Sequence, residues 1–143
     1  MPSSTICVDA SLVVQLVTGG TLVHRIAPLW SRWHEEGRLL VAPTLLYYEV
    51  ANALHRYLVS GFITPEEERD AFEAALEMGI VLLGDASLHR RALQIAQDLN
   101  LSAAYDAHYL ALAEQFGAEF WTADQRLANN VGSRLPWVRW VSP

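Results

Sequence analysis

Thr5-Ile6-Cys7-Val8-Asp9-Ala10-Ser11 is the stretch from which the rest of the chain is read. Four strand-forming residues run straight into an acid and two small residues, a composition that leads from a strand into a helix. The same alternation of short apolar runs and longer helical patterns recurs to the C-terminus. Strands are expected over 5–8, 39–42, 80–83, 119–121 and 137–141. Helices are expected after Asp9, over 21–36, 44–60 and from Pro65 to a stop at Gly79, then over 88–100 and 104–116, with a short one after Asp124. Thr64-Pro65-Glu66-Glu67 reads as a capping box with proline in the first helical position. Alternating β and α segments make an α/β fold with a central, mostly parallel sheet of four or five short strands.

A chain of 143 residues with 52% hydrophobic and 18% charged residues has material for one compact core, so residues 1–143 are read as a single domain. Cys7 is the sole cysteine, which excludes an internal disulfide and any cysteine-based zinc cluster and leaves a buried thiol as its simplest role. No apolar run reaches the roughly 20 residues that span a bilayer, and Met1-Pro2-Ser3-Ser4 has no basic-then-apolar leader pattern; a soluble, cytoplasmic protein is expected. All ten basic residues are arginine, so a P-loop lysine, a Schiff base and a Ser-Lys pair are impossible. The formal charge of −6 speaks against a nucleic-acid partner only until its source is traced. Glu66, Glu67, Glu68, Asp70, Glu73 and Glu77 sit in one helix against Arg69, and outside it the surface is close to balance.

Four acids resist a purely structural reading. Asp9 ends an apolar strand, where open α/β sheets place their ligands, although a helix N-cap accounts for it equally well. Asp124 repeats that context after Thr122-Ala123, with the same alternative. Glu49 lies on the flank of the apolar stripe Leu46, Val50, Ala53, Leu54 and Tyr57, where a solvated edge residue is the simple alternative. Asp106 shares a helix face with Tyr109, Leu110 and Ala113 and lies in its helix's first turn, where an anion is favoured. On that buried side it needs a metal ion or an arginine as partner. A set of carboxylates without His or Cys suits Mg2+ (or Mn2+).

Taken in order, Val8-Asp9-Ala10-Ser11, Pro43-Thr44-Leu45 with Glu49-Val50-Ala51-Asn52-Ala53-Leu54, the run from Leu101 through Asp106 to Ala113, and Trp121-Thr122-Ala123-Asp124-Gln125-Arg126-Leu127 resemble the PIN domain family, in particular the VapC-type toxins of type II toxin–antitoxin systems. The resemblance runs from Val8 to Leu127. It implies a three-layer α/β/α sandwich and metal ligation by Asp9, Asp106 and Asp124, with Glu49 ligating directly or through water. It also implies support from the hydroxyls of Ser11 and Thr122, whose alternative is capping and turn formation. Asn52, one turn from Glu49, is a weaker candidate for holding it. The implied reaction is hydrolysis of RNA to 5′-phosphate and 3′-hydroxyl ends by a metal-dependent endoribonuclease. The implied partners are the RNA substrate, a cognate antitoxin protein and a second copy in a homodimer.

Several residues are read as structural. Asp85-Ala86-Ser87 repeats Asp9-Ala10-Ser11, but Asp85 is read as structural and Ser87 as the cap of the next helix. His24, His34, His55, His89 and His108 lack metal-ligand spacing. Trp30, Trp33, Tyr47 and Tyr48 fit an aromatic core more simply than a dimer or antitoxin groove, and Arg90 and Arg91 fit a solvated helix face more simply than an RNA contact. Three rival functions stay open: a PIN-like protein that binds RNA or metal without turnover, a housekeeping RNA-processing nuclease without an antitoxin, and a phosphoacceptor module, which normally wants the lysine this chain lacks.

Overall fold

In a computed structural model that describes residues 4–143, five strands form one sheet in which every pairing is parallel. The strands are β1 (Thr5–Val8), β2 (Leu39–Pro43), β3 (Val81–Leu83), β4 (Glu119–Thr122) and β5 (Val138–Trp140), in the order β3-β2-β1-β4-β5. The helices are α1 (Ala10–Thr18), α2 (Val23–Glu35), α3 (Leu45–Val59), α4 (Pro65–Leu76), α5 (Ala86–Asp98), α6 (Tyr105–Phe116) and α7 (Gln125–Val131). The leader-free reading of the N-terminus falls on residues 1–3, outside the described residues.

Strand order dictates the layers. From β1 the chain moves to β2 and β3 in one direction, then returns across the sheet to β4 and β5 on the other side of β1. Right-handed crossovers therefore put α1 to α4 on one face and α5 to α7 on the opposite one. Neighbouring residues of β4 show both layers. Trp121 meets Trp33 of α2 at 5.4 Å between ring centroids, and Phe120 meets Tyr109 of α6 at 5.6 Å. Covered on both faces, β1 is buried throughout, which is why Ile6-Cys7-Val8 carries no polar alternation. The expected α/β/α sandwich and its parallel sheet are those of the structure.

The ends of the elements hold the differences. The fourth helix has its capping box: the Thr64 hydroxyl accepts from the Glu67 N–H, and the Glu67 carboxylate accepts from the Thr64 N–H. The fifth is not capped by Ser87. It starts two residues earlier than expected, and the Asp85 carboxylate accepts from the Leu88 N–H at 3.0 Å. Asp85 is thus structural as expected, while Ser87 lies inside the first turn. Tyr48 is the other exception. Trp33 is buried, and Trp30 and Tyr47 pack against the core, but Tyr48 is 75% exposed. Arg91 lies along a solvated helix face and pairs with Glu114 across to α6.

Among the described residues no single helix is long and apolar enough to cross a membrane; α1 and α2 reach the length together only across a 111° bend, and α1 lies in the core. The capping assignment predicts that Asp85→Ala lowers the unfolding free energy by about 1 kcal/mol, whereas Ser87→Ala changes it by no more than about 0.5 kcal/mol, both read from urea denaturation.

Candidate metal centre

The sheet's winding reverses between β1 and β4, and there the carboxyl ends of two adjacent parallel strands diverge into helices on opposite faces. Ligands of open α/β sheets sit in that crevice. β1 delivers Asp9 to it and β4 delivers Thr122, followed by Asp124. The Asp9 N–H donates to the Trp121 carbonyl at 3.1 Å and so continues the ladder one residue past the strand.

Asp9 occupies the N-cap position of α1 but makes no side-chain capping bond. Its Oδ2 instead accepts two hydroxyls, from Thr122 at 2.6 Å and from Ser11 at 2.8 Å. Each hydroxyl is itself held by the backbone: Ala123 N–H donates to Ser11 Oγ and Asp124 N–H to Thr122 Oγ1, both at 2.9 Å. With one proton apiece already committed to Asp9, the two hydroxyls do not bond to each other across their 3.5 Å separation. The clamp fixes one carboxylate oxygen, and Oδ1 makes no hydrogen bond among the described residues. Asp9 is only 6% exposed. Burial pushes its carboxyl up to about 6, the charges of Asp106 and Asp124 push the same way, and the two hydroxyls oppose the shift.

Glu49 reaches the same region from α3. Its Oε1 accepts the Tyr109 hydroxyl at 2.6 Å, a bond between the two helical layers past the sheet edge. Asn52 is exposed and makes no bond to Glu49. Burial drives the Glu49 carboxyl up to about 7, with Asp9, Asp106 and Asp124 adding to it and the Tyr109 bond resisting. Asp106, in the first turn of α6, is raised by burial and by Asp124 and lowered by Arg126. Asp124 serves α7 as an N-cap, its Oδ1 accepting from Leu127 N–H at 3.2 Å. For Asp124 the capping role and membership of the acidic cluster therefore coexist.

The structure thus brings all four acids within electrostatic reach of one another and places Ser11 and Thr122 directly on Asp9. Two residues of the site escaped the sequence. Tyr109 is legible only as a core aromatic one turn beyond Asp106, and Arg126 as an exposed arginine in a first helical turn. Cys7 is a buried thiol that donates to the Tyr109 carbonyl, and burial raises its pKa, so it takes no part as a nucleophile.

The family model that matches the chain is the PIN domain, over residues 6–132. The chain belongs to the PIN domain family. PIN domains are generally metal-dependent nucleases that use divalent ions. No curated protein matches this chain in sequence. The donors of this PIN domain fit a hard divalent cation. All are oxygens, several carboxylate oxygens carry no hydrogen bond among the described residues, and the pocket holds mutually repelling charge that a cation would offset. Among those residues no three His, Cys, Asp or Glu side chains close into a cage.

For carboxyls raised above their ordinary values, the charged form weakens the folded state, so the metal-free protein gains stability as pH falls through about 7 and about 6. With EDTA present, Tm should rise between about pH 8 and about pH 5.5 more in the wild type than in Glu49→Gln. Saturating Mn2+ should raise Tm at the alkaline end and shrink that difference. Equal pH dependence in the two proteins would contradict this electrostatic account.

Proposed function

We propose that this PIN domain is an Mg2+- or Mn2+-dependent endoribonuclease and the toxin of a toxin–antitoxin pair. The observation that carries the nuclease reading is the acid cluster: four coupled carboxylates above the switch point of a parallel sheet, one clamped by two hydroxyls and another by a tyrosine. Asp9 through Oδ1, Asp106 and Asp124 would hold the ion, with Glu49 ligating directly or through water. A bound divalent ion supplies the positive charge that admits a phosphodiester to an acidic pocket and the Lewis acidity for its hydrolysis.

The chain's own residues supply position. Ser11 and Thr122 fix the rotation of the Asp9 carboxylate through Oδ2 and leave Oδ1 unengaged among the described residues. Tyr109 holds Glu49 by one oxygen and leaves the other available. Arg126, exposed beside Asp106, offers a forked donor to a phosphate oxygen. The expected products are 5′-phosphate and 3′-hydroxyl ends.

The toxin role, with a cognate antitoxin and a homodimeric state, rests on the resemblance of the four motif blocks to VapC-type toxins. A small gene beside this one should encode the antitoxin.

Purified protein should cut single-stranded RNA with Mg2+ or Mn2+ and stop in EDTA. Asp106→Asn should leave no detectable cleavage, and Tyr109→Phe should cost about 10- to 100-fold. Expression in a bacterium should arrest growth in an Asp106-dependent way, relieved by co-expressing the neighbouring gene. Cleavage that persists in EDTA or in Asp106→Asn would refute the nuclease mechanism; cleavage without growth arrest would leave a housekeeping nuclease.

A further inference from the structure

A second cleft opens on the same edge of the sheet, over β2 and β3, next to the acids that stand over β1 and β4. Its volume is about 330 Å³, and its walls are the first turns of three helices: Thr44 and Tyr48 from the start of α3, Gly84 and His89 from the approach to and first turn of α5, Tyr105 and His108 from α6. Two features set it apart from an ordinary surface hollow. Tyr48 and Tyr105 are 75% and 65% exposed, although large aromatic rings are normally drawn into cores or interfaces. Each also directly precedes a site acid, Tyr48 before Glu49 and Tyr105 before Asp106, so the turns that carry two of the carboxylates also carry the two rings.

The polar lining is defined as well. His108 Nδ1 lies 2.7 Å from the Ala104 carbonyl, which can only accept, so the proton is on Nδ1. Nε2 of His108 lies 2.9 Å from His89 Nδ1, so the two imidazoles share a hydrogen bond beside the cleft. His89 and the Thr44 hydroxyl thus give the cleft groups that hydrogen-bond to a ligand. Among the described residues no Asp, Glu or Arg lines the cleft. An uncharged, flat, aromatic ligand with hydrogen-bonding groups on its edge is what such a lining accommodates, and a nucleobase has those properties.

We propose that this cleft binds an unpaired nucleobase of the RNA substrate, stacked on Tyr48 and Tyr105, adjacent to the phosphodiester at the acid cluster. The proposal rests on the ribonuclease reading and adds what that reading lacks, a determinant of which strand and which nucleotide are presented. A base inside a duplex cannot reach the rings, so single-stranded segments are selected. The edge contacts to His89 and Thr44 then discriminate among bases.

The test is equilibrium binding of a single-stranded oligoribonucleotide of about eight residues carrying one 2-aminopurine, with Ca2+ replacing Mg2+. Stacking in the cleft should quench the 2-aminopurine. Tyr48→Ala and Tyr105→Ala should each weaken binding about tenfold and restore fluorescence, with Tyr→Phe at either position retaining both. The same oligonucleotide with an abasic residue in place of 2-aminopurine should bind wild type and variants alike. Both tyrosines are exposed, so the variants should fold, as circular dichroism would verify. Unquenched binding, alanine variants that bind like the wild type, or no binding by the wild type would overturn the proposal; the last outcome would point to a protein segment as the occupant. Mg2+-dependent cleavage, measured in parallel, separates the two claims. Cleavage indifferent to both tyrosines removes the base site and keeps the nuclease, and tyrosine-dependent quenching in a protein that never cleaves does the reverse.

Discussion

Asp9 is a carboxylate taken out of water at the one point where the sheet reverses its winding, and the surrounding structure is arranged around keeping it there. An unpaired buried charge is costly. Two hydroxyls on Oδ2 offset part of that cost, and both depend on the β1–β4 pairing, because Thr122 ends β4 and Ser11 is steadied by Ala123 N–H. The remaining cost appears as a carboxyl raised to about 6. Asp106, Asp124 and Glu49 increase the repulsion instead of relieving it, and among the described residues no arginine pairs with Asp9. A fold selected for stability alone would have little reason to gather these charges; a fold that presents a cation to a phosphodiester does.

The hydroxyl clamp and the Tyr109–Glu49 bond serve the same end from opposite faces. The first joins two neighbouring strands, and the second joins α6 to α3 beyond the sheet's edge. Each immobilises one oxygen of a carboxylate and leaves the other unengaged. Preorganisation of this kind lets an oxygen donor set act without rearranging when its ligand arrives. The acids also adjoin the cleft in sequence, Glu49 following Tyr48 and Asp106 following Tyr105.

Much of this was legible in the sequence where local chemistry decides the outcome. Thr5 to Val8 read as the first strand, the Thr64 box fixed a helix start, and Asp9 and Asp124 stood at strand ends. What the sequence hid depends on tertiary geometry. The choice between capping and clamping at Asp9 turns on Thr122, 113 residues away. Tyr109 reads as core until its hydroxyl is seen to reach Glu49, 60 residues distant. His89 and His108 lack ligand spacing along the chain because they come together only when α5 packs on α6. Asp85 displaced Ser87 as the cap because it has the extended backbone of an N-cap residue, while Ser87 is already helical.

The central claim is that the free oxygens around Asp9 form one cation site. Anomalous diffraction from crystals soaked in Mn2+ tests it most directly. A peak within about 2.2 Å of Asp9 Oδ1 and of an oxygen of Asp106 or Asp124 is the predicted result. A cation located elsewhere on the chain, with the acids unliganded at saturating Mn2+, would contradict it.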